Sequence, residues 1–276
     1  MLLRVLAIFV TLFLIPGLQA QESDPAALAL FDAALSKLEA RSVLLKKWQY
    51  HQTLTTHQFS DNDKIIAKGT WKSIFRPDEK DPIEYLSENL EGTLTFFHKK
   101  PEKAAGKSAS TEVSPVPKKE SKDGIDDSQS NNRIESLADA ISKYGLRERY
   151  VWTCLPDEKA AGEAAGVIAF SPKTRMPVKT REERFFSQLS GKIWISREDS
   201  TVLKSEGALL EPYRVFWIIA RITTLTFAYE VEPNPASRVL RKSKASAETI
   251  VAFPFNQVHQ KHWLEVRKFE PRTPRK

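Results

Sequence analysis

Cysteine is all but missing from this chain. Cys154 is its single thiol, so no internal disulfide can form and stability must come from a packed core. Glycine is scarce as well, at 10 residues in 276, and no glycine-rich phosphate loop can be traced. The HExxH, GxSxG and CxxC patterns of common metal, hydrolase and redox sites are absent. Beyond the N-terminal segment no run approaches the ~18 consecutive apolar residues of a membrane-spanning helix.

The five histidines do not repair the lack of a metal motif. His51 and His57 share a strand face but stand about 20 Å apart along an extended chain, too far to hold one ion. His259 and His262 point to opposite faces. Cys154 alternates with Tyr150 and Trp152, the setting of a buried small hydrophobe rather than of an activated nucleophile. No cofactor and no catalytic residue is expected.

What is present is ordinary globular material, 41% hydrophobic and 28% charged. Met1–Arg4 followed by the apolar run VLAIFVTLFLI (Val5–Ile15) and Pro16-Gly17 reads as a signal peptide, with cleavage expected after Ala20. The protein is therefore expected in the periplasm or outside the cell. The formal net charge is +7, and +6 once residues 1–20 with Arg4 are removed. That excess favours anionic envelope partners; nucleic acid is excluded by export.

Residues 21–276 read as one domain. Asp24-Pro25 is an N-cap followed by a first-turn proline, and Leu28, Phe31, Leu35 and Leu38 make an apolar stripe, so a helix is predicted to about Arg41. From Trp48 the period falls to two. Trp48–Phe59 and Ile65–Phe75 form a hairpin around Ser60-Asp61-Asn62-Asp63. Short strands are predicted in Ile83–Leu90 and in Gly92–His98. Pro101–Asn131 has no aromatic residue and many Lys, Ser and Glu, so it reads as a disordered insertion. A helix is predicted from Asn132 to Gly145, and a short one from Thr180 through Leu189. Strands are expected at Tyr150–Cys154, Ala165–Phe170, Ile222–Val231, Ala245–Phe253 and Val258–Phe269. This is an α+β pattern whose sheet is long enough to curl.

The charged cluster Arg197-Glu198-Asp199-Ser200 sits between two alternating runs in GKIWISREDSTVLKSEGALLEP (Gly191–Pro212). Ile193 and Ile195 point to one side and Trp194 to the other. The cluster is thus a hairpin tip, without the enclosure that a catalytic carboxylate pair needs. Tyr213–Ala220 (YRVFWIIA) is apolar without alternation and reads as a buried bend rather than a lip touching lipid. The aromatics stand out more. Trp48, Trp71, Trp152, Trp194, Trp217 and Trp263 all fall on or beside strands, where they either fill the core beneath the helices or line an apolar cavity.

Phe170, Pro172 and Lys173 end one strand, and Trp194, Ile195, Leu203, Lys204 and Glu206 follow in the next hairpin. This spacing, behind a leader and an amphipathic helix, resembles the periplasmic lipoprotein-carrier (LolA/LolB-like) superfamily, with Ser196 where an acidic residue is usual. The resemblance implies a curved antiparallel sheet, an incomplete β-barrel, with about three helices covering its concave face. It also implies an apolar cavity able to take acyl chains. Trp71, Trp152, Trp194, Phe227 and Tyr229 are the expected lining. The expected function is non-enzymatic: binding of a lipid, a lipoprotein acyl chain or another apolar envelope component by a monomer with peripheral membrane contact. The alternative is a non-catalytic scaffold with a filled core that binds an envelope protein.

The composition of Pro101–Asn131 yields the first test. Deleting it should leave the thermal unfolding midpoint nearly unchanged, because it has no aromatic and few large apolar residues to contribute to a core. A loss of several kcal/mol would contradict that reading.

Overall fold

The computed structural model describes residues 22–95 except 78 and 80, 141–232 except 175 and 217–219, and 241–272. The expected signal peptide, the insertion Pro101–Asn131, most of the helix expected from Asn132, and Trp217 lie outside the described residues. The last turn of that helix is seen at 141–143, ahead of Gly145 at φ 58°.

Helix α1 (Pro25–Leu45) begins as its sequence dictates. Asp24 is extended and its side chain accepts the Ala26 N–H at 2.8 Å, with Pro25 in the first turn. The helix runs one turn beyond the expected Arg41. At ~1.5 Å per residue it is about 31 Å long, enough to cross much of a sheet. Its N-terminus is tied to a strand edge: the Asp24 N–H donates to the Trp152 carbonyl at 2.8 Å, and the Ser23 hydroxyl donates to the Tyr150 carbonyl.

The strands are β1 (Trp48–Phe59), β2 (Ile65–Phe75), β3 (Ile83–Glu91), β4 (Tyr150–Ala160), β5 (Glu163–Pro172), β6 (Leu189–Ser196), β7 (Val202–Leu209), β8 (Tyr213–Phe216), β9 (Ala220–Val231), β10 (Ser243–Ala252) and β11 (Gln257–Pro271). Short helices α2 (Leu146–Arg149) and α3 (Arg181–Phe186) accompany them. All eleven strands join one antiparallel sheet in the order β3-β2-β1-β11-β10-β9-β7-β6-β5-β4, with β8 beside β9. The sheet is curved and not closed into a barrel, an α+β fold. Gly92–Thr95, the described part of the expected fourth strand, is not a strand; Gly92 turns the chain at φ 74°.

Register places the same face inward across the whole sheet. Gly69, Thr56, His262, Ala247, Phe227, Gly207, Gly191, Phe170 and Trp152 are paired in succession across nine strands. Paired residues share a face, so Trp71, two residues from Gly69, looks to the side on which α1 packs over Trp152. Along the middle of this row the side chains are small. A Cβ on Gly191 would lie 2.1 Å from the Glu206 carbonyl oxygen, and one on Gly207 2.4 Å from the Phe227 ring. Alanine would not fit at either position.

Two packed clusters hold the β4 end. Beneath α1, Ala27, Phe31 and Ala34 meet Tyr150, Trp152, Ile168 and Ile195, with the Phe31 and Trp152 rings 4.2 Å apart. A bidentate pair from Arg147 to Asp32, at 2.7 and 2.8 Å, fastens α2 to α1. The Arg147 guanidinium holds the Asp32 carboxyl below its ordinary value. The second cluster joins Ala160, Ala165, Val167, Trp194, Leu203 and Val231. Next to it the buried Arg241 guanidinium meets Glu163 at 2.8 Å, tying the β4–β5 turn to the start of β10.

Trp194 is 4% exposed, its indole N–H donates to Glu158 at 2.7 Å and Lys204 lies 4.3 Å over its ring. Trp194→Ala should therefore cost about 3–5 kcal/mol, as truncation of a packed core aromatic does. Glu182→Gln, on the exposed side of α3, should change stability by less than about 0.5 kcal/mol. Urea unfolding of both variants checks the contrast.

Candidate ligand cavity

At the other half of the inner face α1 no longer covers the sheet, and a half-open hollow of about 570 Å³ remains. Ile83 and Tyr85 of β3 and Val215 of β8 border it together, although five strands separate β3 from β8 in the sheet order. In a flat sheet those two strands would lie about 29 Å apart at ~4.8 Å per step. One hollow can touch both because the sheet curls round it. Its wall comes from the inward positions of β1, β2, β11 and β10: Leu54, Trp71, Leu264 and Val251, with Ile222 and Phe253 nearby. Leu54 pairs with Trp71 on one side and with Leu264 on the other, so these three make an apolar strip in a wall that also carries Gln52, Ser73, Thr249, Gln260 and His262.

Each end of the strip has its own chemistry. Toward β3, Gln58 and Gln260 pin the chain that leaves that strand. The Gln58 carbonyl accepts the Thr95 N–H at 2.8 Å and the Gln260 amide at 3.0 Å, while Gln260 also donates to the Thr95 carbonyl at 2.6 Å. Both glutamines are buried, so these bonds satisfy groups that would otherwise be costly to desolvate. At the opposite end Tyr50 sits between Phe75 and Phe269, with ring centres 5.1 and 5.4 Å away. Burial pushes the Tyr50 hydroxyl up to about 12. Between β10 and β11, Phe253 lines the hollow and Phe255 is fully exposed beside it.

The expected lining residues are not brought together. Trp71 stands in the cavity wall, its indole over Gly69 and its N–H donating to Glu88 at 3.0 Å. Phe227 borders a second, more open hollow of about 780 Å³ over the small-residue middle of the sheet. Trp152 lies in the cluster under α1, with its N–H bonded to the Arg147 carbonyl at 3.0 Å. Trp194 belongs to the second cluster, against which Tyr229 packs. The wall residues that sequence reasoning did not single out are Leu54, Leu264, Val251, Ile222 and Phe253. The signal for them was the alternation of β1, β10 and β11, which marks a face but not what lies over it.

The remaining polar candidates have structural partners. Arg197 leaves the β6–β7 tip to hold Asp157 bidentately at 2.9 and 2.5 Å, and Asp199 accepts the Thr201 N–H at 3.0 Å. Cys154 is half-buried against the α1 cluster, where burial, then the Asp24 carboxylate, raises its thiol above the usual value. Among the described residues no group of three or more His, Cys, Asp or Glu side chains is placed to hold a metal.

Several solved structures align with this chain over most of its length, at low TM-scores. A DUF1329 family protein from Desulfovibrio piger aligns over 88% of this chain and 92% of its own, at 11% identity and a TM-score of 0.36. A putative outer membrane lipoprotein-sorting protein domain from Vibrio parahaemolyticus aligns over 88% and 93%, at 12% identity and a TM-score of 0.32. The MucA/MucB complex structure of Pseudomonas aeruginosa aligns over 88% and 100%, at 9% identity and a TM-score of 0.22. No family model and no curated protein sequence matches the chain. With every TM-score below 0.5, the likeness carries no argument about this chain, and no residue's role is carried across it.

His262 faces the hollow with its Nδ1 2.9 Å from the Thr56 hydroxyl. Burial lowers its pKa from the ordinary 6.5. The folded protein therefore keeps this ring neutral at pH values where the unfolded chain already binds a proton, so stability should fall as pH drops through about 6.5. His262→Gln should flatten that fall. An NMR titration should place the His262 midpoint below the ordinary imidazole value; a midpoint at or above it would contradict the burial.

Proposed function

We propose that the protein is exported to the periplasm or beyond and binds an apolar ligand there. The ligand is a lipid, a lipoprotein acyl chain or a comparable apolar envelope component, held in the hollow along Leu54, Trp71 and Leu264. The observation that supports this reading is the single cavity bordered by both β3 and β8, with an apolar strip as its floor. Side chains left half-exposed in such a strip lose water contact when a ligand covers them, and each Å² removed contributes roughly 25 cal/mol. The surplus over the cost of immobilising the ligand sets the affinity.

The work done is burial rather than bond-making. The cavity supplies an apolar strip, a ring of neutral hydrogen-bonding groups in Gln52, Ser73 and Thr249, and one carboxylate, Glu88. This is the lining of a site that selects by shape and by exclusion of charge.

Native mass spectrometry of the purified protein should find co-purifying lipid, and a neutral naphthylamine dye should bind with a gain in fluorescence. Leu54→Glu puts a charge into the middle of the strip and should weaken dye binding at least about tenfold. Leu210→Glu, at an exposed position away from the hollow, should leave it unchanged. Equal binding by both variants would reject the site.

A further inference from the structure

Resting on the reading that the ligand is an apolar component of the envelope, we infer that one end of the sheet docks on a bilayer surface containing anionic phospholipid. It is the end that holds the β1–β2 and β10–β11 turns, the start of β9 and the last residues of β3 and β7. Exposed apolar side chains gather there. Among the described residues ten large apolar side chains are exposed, and five of them, Ile65, Ile66, Leu90, Leu210 and Phe255, stand at this end. The described turns at the opposite end, Ala161-Gly162 and Arg197–Ser200, hold none. Phe255 is fully exposed at the tip of a turn that the Phe253 N–H closes by donating to the Asn256 carbonyl at 2.8 Å. Single apolar residues on a surface are ordinary, but their concentration on one part of it marks a contact with another apolar phase.

Charge gives the second observation. Arg214 of β8 pairs directly with Arg221 of β9, and Arg221 pairs in turn with Ala252, the last residue of β10 before that turn. Both arginines are exposed, and no carboxylate among the described residues holds either one. Like charges directly opposite each other repel; lipid phosphates lying across the pair turn that repulsion into attraction. On the other flank of Phe255, Asp61 already accepts from Gln257 at 3.2 Å and Asp63 lies 3.7 Å from His259. The β8–β9 side is therefore the side that meets the headgroups. The hollow reaches the same end: Val215, Ile222, Val251 and Phe253 line it, one or two residues from the arginine pair and the turn. Apolar tips spread along a curled rim suit a fluid bilayer, which moulds to each of them, better than one rigid partner face.

The test is co-sedimentation of the exported chain, starting at Gln21, with vesicles of phosphatidylglycerol and phosphatidylethanolamine or of phosphatidylcholine alone. The leader is left out because its apolar run would itself bind lipid. The expected result is binding to the anionic vesicles at least about tenfold tighter than to phosphatidylcholine. That binding should fall as salt rises from about 0.1 M to about 1 M, where the screening length shrinks from ~10 Å to ~3 Å. Phe255→Ser and the double variant Arg214→Gln/Arg221→Gln should each weaken it at least about tenfold. Val43→Ser, at an exposed position late in α1, should leave it unchanged, and all variants should keep the parent's affinity for the neutral dye. Absence of vesicle binding, or full binding by both variants, overturns the docking end, while dye binding in the same samples leaves the cavity reading intact. Equal binding to phosphatidylcholine overturns the role of the arginines. Salt-sensitive, Phe255-dependent vesicle binding without any dye binding supports the docking end and rejects the proposed function instead.

Discussion

The pairing of β1 with β11 is the contact on which the rest of the molecule depends. It runs from Trp48–Pro271 to Phe59–His259 with one bulge after Tyr50, and it joins the hairpins at the start of the chain to the strands that follow the insertion. Without it β1–β3 would be an isolated three-stranded ribbon, and β4–β11 would end on an open strand. With it, Leu54 lies between Trp71 and Leu264, and the apolar strip exists. Its two strands lie more than half the chain apart in sequence, so the loop entropy of closing them must be met by the ladder and the side chains it aligns.

Once that ladder sets the register, one inner face serves two purposes. At the β4 end α1 lies on it and the space is solid: Phe31 packs on Trp152, and Leu30 reaches to within 2.7 Å of where a Cβ on Gly166 would stand. At the β3 end the same face bends round a hollow. Between them the row narrows to Gly191, Gly207 and Ala247, and with Phe170 and Phe227 these residues border the second, more open hollow. A helix of about 31 Å cannot cover a sheet this wide, and the uncovered part remains for a ligand.

Much of the scaffold was legible in the sequence. The alternation of Trp48–Phe59, Ile65–Phe75 and Ile222–Val231 announced three long strands, Asp24-Pro25 announced the start of α1, and the Arg197–Ser200 cluster announced a hairpin tip. The helix ran past Arg41 because Leu44 and Leu45 continue its pattern up to the turn before Trp48. The expected strand in Gly92–His98 gives way, over its described residues, to a turn pinned by Gln58 and Gln260. No local pattern in the sequence could show that, because the two glutamines lie about 200 positions apart and meet only through the β1–β11 register. The aromatic residues were ambiguous for the same reason. Trp71 and Trp152 occupy equivalent inward positions, yet one stands in a cavity wall and the other under a helix. Alternation tells which way a side chain points; it does not tell where a helix stops covering the sheet.

An experimental structure of the protein soaked with a long-chain primary alcohol tests the central claim most directly. The account predicts one continuous, elongated stretch of ligand density over Leu54, Trp71 and Leu264, with its polar end at the half-open side. A face filled there by the protein's own side chains, with ligand density nowhere on the strip, would contradict it.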